Sequence, residues 1–103
     1  MWLLNVSPSS RKNKKLVAIF CLCDKKNECK GSNHKKVHFG QDGSTTYTEG
    51  ATEAQKEAYI ARHGKAGEDW SDPTTPGALS RWILWSQRKI ATSLKEFKKK
   101  FSL

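Results

Sequence analysis

The sequence predicts an α+β fold: a small antiparallel β-hairpin or sheet followed by two or three helices. Three observations carry this reading. The run Leu16–Cys23 is apolar at every position and rich in strand-forming residues. The stretch Lys35–Gly40 alternates, with Val37 and Phe39 on one face and Lys36 and His38 on the other. From Thr52 onward the apolar spacing changes from two to three and four, the period of a helix. Strands first and helices after is the pattern of helices packed on one sheet face.

Residues 1–10 read as a flexible apolar arm, Trp2-Leu3-Leu4 followed by Ser7-Pro8-Ser9-Ser10, and residues 11–103 as a single domain ending in a basic helix. By period alone Leu16–Cys23 fits a strand covered on both faces or part of a buried helix. The polar stretch Asp24–Asn27 that follows favours a strand entering a hairpin, with Lys35–Gly40 as the return strand. Gln41–Ser44 is a turn, and Thr45–Thr48 fits a third short strand. Thr52 with Gln55 three residues on has the spacing of a capping box, and Gly64 offers a left-handed stop. Thr75 followed by Pro76 marks the next helix start. There Leu79, Trp82, Ile83 and Ser86 share a face, widened by Leu84 and Trp85. In the last segment, from about Thr92, Ile90, Leu94, Phe97 and Phe101 make the apolar stripe among Lys95, Lys98, Lys99 and Lys100.

The chain has 103 residues, 19 Lys+Arg against 10 Asp+Glu, and a formal net charge of +9, so it is one small domain with acid-seeking surfaces. The charge is spread: nine basic and four acidic residues fall in 1–50, ten and six in 51–103. The start Met1–Val6 has neither the basic opening nor the apolar run of about 7–15 residues of a secretory signal. No stretch approaches the roughly 18 apolar residues of a membrane span. A soluble protein made in an intracellular compartment is therefore expected. With three cysteines, an odd number, reduced thiols are expected rather than a disulfide framework.

Several blocks together resemble a known family. They are Arg11–Phe20, Lys36–Gly40, Tyr47-Thr48, Tyr59–His63, the long block Trp70-Ser71-Asp72-Pro73-Thr74-Thr75-Pro76-Gly77-Ala78-Leu79-Ser80-Arg81-Trp82-Ile83-Leu84-Trp85, and Leu94–Phe101. Over residues 11–102 the chain is similar to a small, poorly characterised protein family of nucleocytoplasmic large DNA viruses, such as those of algae and amoebae. The insert between Cys29 and Lys35 and the three cysteines depart from that family's pattern. The resemblance implies a viral protein with a place in the virion, present in the host cytoplasm before assembly. It brings no catalytic residues.

The candidate sites are contact surfaces. No catalytic set is expected, because His38, His63, Asp72 and Ser80 lack a nucleophile motif and a triad is defined by geometry. Neither metal nor cofactor is expected, since Cys21, Cys23 and Cys29 with His34 or His38 lack the usual zinc-knuckle spacing. The stripe of the tryptophan block reads first as core, with Trp82 and Ile83 packed on the sheet and Trp70 pinning the loop. Because a helix apolar nearly all round must also cover its outer side, by a partner or by self-association, Trp82, Trp85 and Arg81, with Trp2, Leu3 and Leu4 of the arm, are the expected partner-binding residues. Arg81 is the expected carboxylate partner. Arg11, Lys12, Lys14, Lys15, Lys95, Lys98, Lys99 and Lys100 are expected to meet an acidic protein or phosphate groups. The leading expectation is a non-enzymatic virion component, a minor capsid or cement protein docked on capsid neighbours. The alternative is a sequence-independent nucleic-acid-binding protein of genome packaging or replication.

Overall fold

The computed structural model describes residues 1–25 and 29–103. These form a three-stranded antiparallel sheet in the order β1-β2-β3 followed by three helices, the predicted α+β fold. The strands are β1 Trp2–Pro8, β2 Lys14–Cys21 and β3 His34–Gln41. The helices are α1 Glu53–Lys65, α2 Pro76–Leu79, which runs on as a π-helical turn Ser80–Leu84, and α3 Ile90–Phe101. The turn expected over residues 24–27 lies partly outside the described residues.

The hairpin pairs Leu16 with Phe39 and Ala18 with Val37. With Phe20, these residues face the helices, and Ala18, Phe20 and Phe39 are fully buried there. Lys36 and His38 lie on the opposite face, as their alternation predicts.

The arm expected over residues 1–10 is corrected: Trp2–Pro8 is the edge strand β1, paired along β2. A bulge at Leu4 breaks the register between Leu3 and Asn5. The extra residue puts Leu3 and Val6, three apart, on the same core, which strict alternation forbids. Burying Leu3 contributes about 1.5–3 kcal/mol, which together with the ladder bonds opposes the entropic cost of ordering the strand. The expectation of reduced thiols is corrected too. Cys21, fully buried at the end of β2, is bonded to Cys29 with Cα atoms 5.8 Å apart. Antiparallel pairing carries the connection back beside Cys21, a proximity that counting thiols does not reveal. Cys23 is half-buried outside this bridge.

Tyr47–Glu49 is a short 3-10 turn rather than a third hairpin strand. Glu49 folds back on the Thr46 N–H and hydroxyl, and this capping box outcompetes an extended pairing. α1 starts as read, with Thr52 accepting the Gln55 N–H at 3.1 Å and Gln55 accepting the Thr52 N–H at 2.8 Å. It continues through Gly64 to Lys65, and the left-handed residue is Gly67. α3 begins at Ile90, before Thr92. Ile90 is exposed, and Ser93 takes the inward place, accepting the Gln87 N–H at 3.1 Å. Among the described residues no helix is long and apolar enough to cross a membrane.

Gly40 closes β3 at φ +80, where a Cβ would lie 2.8 Å from Leu84 Cδ1. Gly43 has a similar φ of +87 in open space. Gly40→Ala is expected to destabilise the fold by about 2–4 kcal/mol, through backbone strain plus overpacking, and Gly43→Ala by only about 1–2 kcal/mol, through strain alone. Urea unfolding of the two variants checks this; equal losses would show that the Leu84 contact contributes nothing.

Candidate functional site

The tryptophan block is mostly internal. Pro76 opens α2 under the Thr75 cap, which accepts the Ala78 N–H at 3.2 Å. The chain then widens into the π-turn, and the Trp85 N–H reaches back five residues to the Ser80 carbonyl at 3.1 Å. The wider turn places Ile83, Leu84 and Trp85 consecutively in the interior. Trp85 stacks on Tyr59, with ring centroids 4.4 Å apart and planes 7° off parallel. Burial, followed by the negative charge of Glu68, pushes the Tyr59 phenol up to about 12.

The structure places two of the expected partner-binding residues in the core and the others in contacts within the domain. Leu3 and Trp85 are core residues. Leu4 is half-buried at the bulge, and Trp2 donates its indole N–H to the Asp24 carbonyl at 3.0 Å. Trp82, half-buried, donates to the Trp70 carbonyl at 2.9 Å. Among the described residues Arg81 meets aromatic rings and a carbonyl instead of a carboxylate. Its guanidinium lies 4.5 Å from the Trp82 ring centre and 5.5 Å from that of Trp70, and it donates to the Trp85 carbonyl at 3.2 Å. Its Nε is buried without a partner, and desolvation lowers its pKa.

Other cations are internal fasteners: Arg88 and Lys56, which sequence reading did not single out, and Lys15, which it assigned to an acidic partner. Arg88 covers the Tyr47 ring at 3.7 Å and donates to the Tyr47 and Ala51 carbonyls. Lys56 lies 4.4 Å from the same ring centre and donates to the Ser86 carbonyl at 2.7 Å. Lys15 is paired with Glu49 at 3.0 Å. Burial opposes ionisation of Glu49, but the hydrogen bonds from Lys15 and Thr46 outweigh it and hold the carboxyl below its ordinary value.

What points outward is basic. Arg11, Lys12 and Lys14, with the Lys15–Glu49 pair and Asp42, line an open depression of 580 Å³, into which Leu16, Leu84 and Ile90 also face. Lys95, Lys98, Lys99 and Lys100 are exposed on α3, with Lys100 lying 4.5 Å from the Trp82 ring centre. The two basic groups are not brought together: from Ile90, beside the turn, to Lys100 the helix rises about 15 Å.

A second cleft, of 280 Å³, opens beside the first and shares Lys14 and Leu84 with it. Tyr59, Arg62 and His63 of α1 line it, as do Glu68 and Gly77. His63 Nδ1 lies 2.9 Å from Glu68 Oε1, and the Trp70 indole donates to Glu68 Oε2 at 3.0 Å. Glu68 can lie against Gly77 because a Cβ there would be 3.3 Å from its carboxyl carbon. The sequence signal for this cleft was the pair Tyr59 and His63, one helical turn apart. Among the described residues no group of His, Cys, Asp and Glu could hold a metal, and two of the three thiols considered as ligands form the disulfide.

The fold and these two clefts define a small α+β protein with a basic face. Residues 4–63 match the model of a family of unknown function, DUF5754. The match spans more than half of the chain, and the protein belongs to that family. An uncharacterized protein of Acanthamoeba polyphaga mimivirus is 33% identical over 87 residues, covering 80% of each chain. The viral resemblance seen in the sequence is thereby supported, although the family match ends before the Trp70–Trp85 block. No solved structure matches the chain.

His38 marks the far side of the basic turn. Ser9 Oγ accepts the Arg11 N–H at 3.0 Å and is hydrogen-bonded to His38 Nδ1 at 2.6 Å. Desolvation, then the charges of Arg11, Lys36 and Lys14, lower the His38 pKa from 6.5. A lowered folded-state value means that the unfolded chain takes up the proton first. Stability is then fully present above 6.5 and is lost as pH falls through the folded value. Thermal unfolding measured from about pH 7.5 to 5 is expected to show this loss and to be flatter in His38→Gln. An identical pH profile in the variant would remove His38 from the account.

Proposed function

We propose that this protein is a non-enzymatic structural component of the virion of a large DNA virus. In this reading it is a minor capsid or cement protein that docks through its β1–β2 turn onto an acidic segment of a neighbouring capsid protein. It would be present in the host cytoplasm before assembly and in the particle afterwards. The observation that carries the reading is the 580 Å³ depression, which combines three cations, Arg11, Lys12 and Lys14, with the apolar side chains Leu16 and Ile90, while Lys15 on its wall is already paired with Glu49 and Asp42 is the other carboxylate of the lining. Apolar contact beside fixed charge suits a peptide with acidic and aliphatic side chains better than it suits a phosphate backbone. Supporting context comes from the mimivirus relative. The apolar arm and the tryptophan face no longer contribute, since both are engaged within the domain.

One observation favours a second reading, sequence-independent nucleic-acid binding. Lys95, Lys98, Lys99 and Lys100 form an exposed ridge on α3 away from the depression, where point charges can track phosphates without reading bases.

Two variants separate these readings. In purified particles, crosslinks from Lys12 or Lys14 to acidic stretches of a capsid protein are expected, and the Lys12→Glu/Lys14→Glu double variant should fail to incorporate. Absence of the wild-type protein from purified particles would overturn the capsid reading. Should Lys98→Glu/Lys99→Glu/Lys100→Glu instead abolish a salt-dependent retention on DNA, with particle incorporation of the turn variant intact, the nucleic-acid reading takes its place.

A further inference from the structure

The 280 Å³ cleft beside α1 shares Lys14 and Leu84 with the docking depression, and the docking reading uses none of its other residues. Three nitrogen-bearing side chains reach it from two elements: Lys14 at the start of β2, and Arg62 and His63 on α1. Its one carboxylate is already engaged, since Glu68 holds His63 Nδ1 with one oxygen and the Trp70 indole with the other. That leaves His63 Nε2 available in a fixed ring orientation, because the ring also packs on Tyr59 with centroids 4.1 Å apart. Gly40 and Gly77 let Leu84 and the Glu68 carboxylate pack close into the cleft wall, since an added Cβ would lie 2.8 Å from Leu84 Cδ1 and 3.3 Å from the Glu68 carboxyl carbon. The hydroxyl of Ser80 completes the polar lining.

We propose that this cleft binds a phosphate monoester. A planar carboxylate is satisfied by one bidentate arginine, whereas a tetrahedral group of nearly two negative charges suits several donors arriving from different directions. The volume lies near the lower end of small-molecule sites, room for a phosphate and a small part of what carries it. Two sources share that chemistry, a free mononucleotide and the terminal phosphate of a nucleic-acid strand.

The test is calorimetric titration of the full chain with adenosine monophosphate and with a short single-stranded oligonucleotide that carries or lacks a terminal phosphate. Binding of the mononucleotide supports the site with a free ligand. A preference for the phosphorylated oligonucleotide alone supports it with a strand end. Either affinity should fall about ten- to a hundred-fold in Arg62→Gln and in His63→Gln, the loss of one charge-assisted bond. Lys36→Gln, on the opposite sheet face, should leave it unchanged. Arg62 is exposed, so its variant should keep the wild-type unfolding temperature even where the His63 variant does not fold. Failure of the mononucleotide to bind, with equal affinity for the two oligonucleotides, overturns the proposal, as does binding that ignores both cleft variants. Neither result bears on particle incorporation through Lys12 and Lys14, so this inference and the docking reading can fail separately.

Discussion

The wide turn at Ser80–Leu84 is the joint from which the rest of the domain hangs. An ordinary helix would leave one of Ile83, Leu84 and Trp85 facing solvent, because consecutive positions lie about 100° apart. Closing the turn on a five-residue reach lets all three enter the core. Each then fixes a different neighbour. Leu84 seats against the end of β3, where Gly40 has no Cβ to resist it. Trp85 holds α1 through Tyr59. Arg81, carried round by the same turn, donates to the Trp85 carbonyl while lying over Trp82 and near Trp70. That placement leaves Arg81 Nε buried without a partner, a cost of about 1–3 kcal/mol that the surrounding ring contacts must offset.

Legibility in the sequence follows the range of each interaction. The start of α2 is readable because Thr75, Pro76 and the Ala78 N–H are within four residues of one another. The same local chemistry is present at Thr46 and Glu49, where the capping spacing was overshadowed by the strand-forming run Thr45–Thr48. The hairpin faces were readable because alternation at Val37 and Phe39 is unbroken, whereas in β1 the bulge at Leu4 conceals the alternation and with it the strand. The π-turn leaves no local mark, since its cause is tertiary packing of three adjacent apolar residues. The cleft is legible only in its α1 side, the Tyr59 and His63 pair, because Lys14, His63 and Glu68 become neighbours only after β2, α1 and the following loop are in place.

The positive charge of the chain divides into two populations. Arg81, Arg88, Lys56 and Lys15 each hold a ring, a carbonyl or a carboxylate of the same domain. They act as staples whose long apolar stems also cover the aromatic core. Composition alone counts them with the surface lysines and so overstates what is offered to a partner. Among the remaining cations two clusters stand out, Arg11, Lys12 and Lys14 at the β1–β2 turn and Lys95, Lys98, Lys99 and Lys100 along α3, and these two groups differ in rigidity.

That difference decides which group can recognise a particular partner. The turn is tied at both sides. The Ser9 N–H donates to the Lys15 carbonyl at 3.1 Å, the Lys14 N–H to the Arg11 carbonyl at 3.2 Å, and the Asp42 N–H to the Asn13 carbonyl at 3.1 Å. The backbone of Arg11–Lys15 is thus ordered before any partner arrives, and binding need not supply that ordering entropy. Its charges also stand over side chains that repel water, where an ion pair is stronger than on an open surface. The α3 lysines are exposed along one helix, with Lys100 resting over the Trp82 ring, and screening at physiological salt limits their reach to about 8 Å. A row of exposed charge suits weak attraction to any polyanion. A fixed ring of charge around an apolar floor suits one complementary surface, and for that reason the turn, more than the total charge of the chain, is the feature on which specific docking would depend.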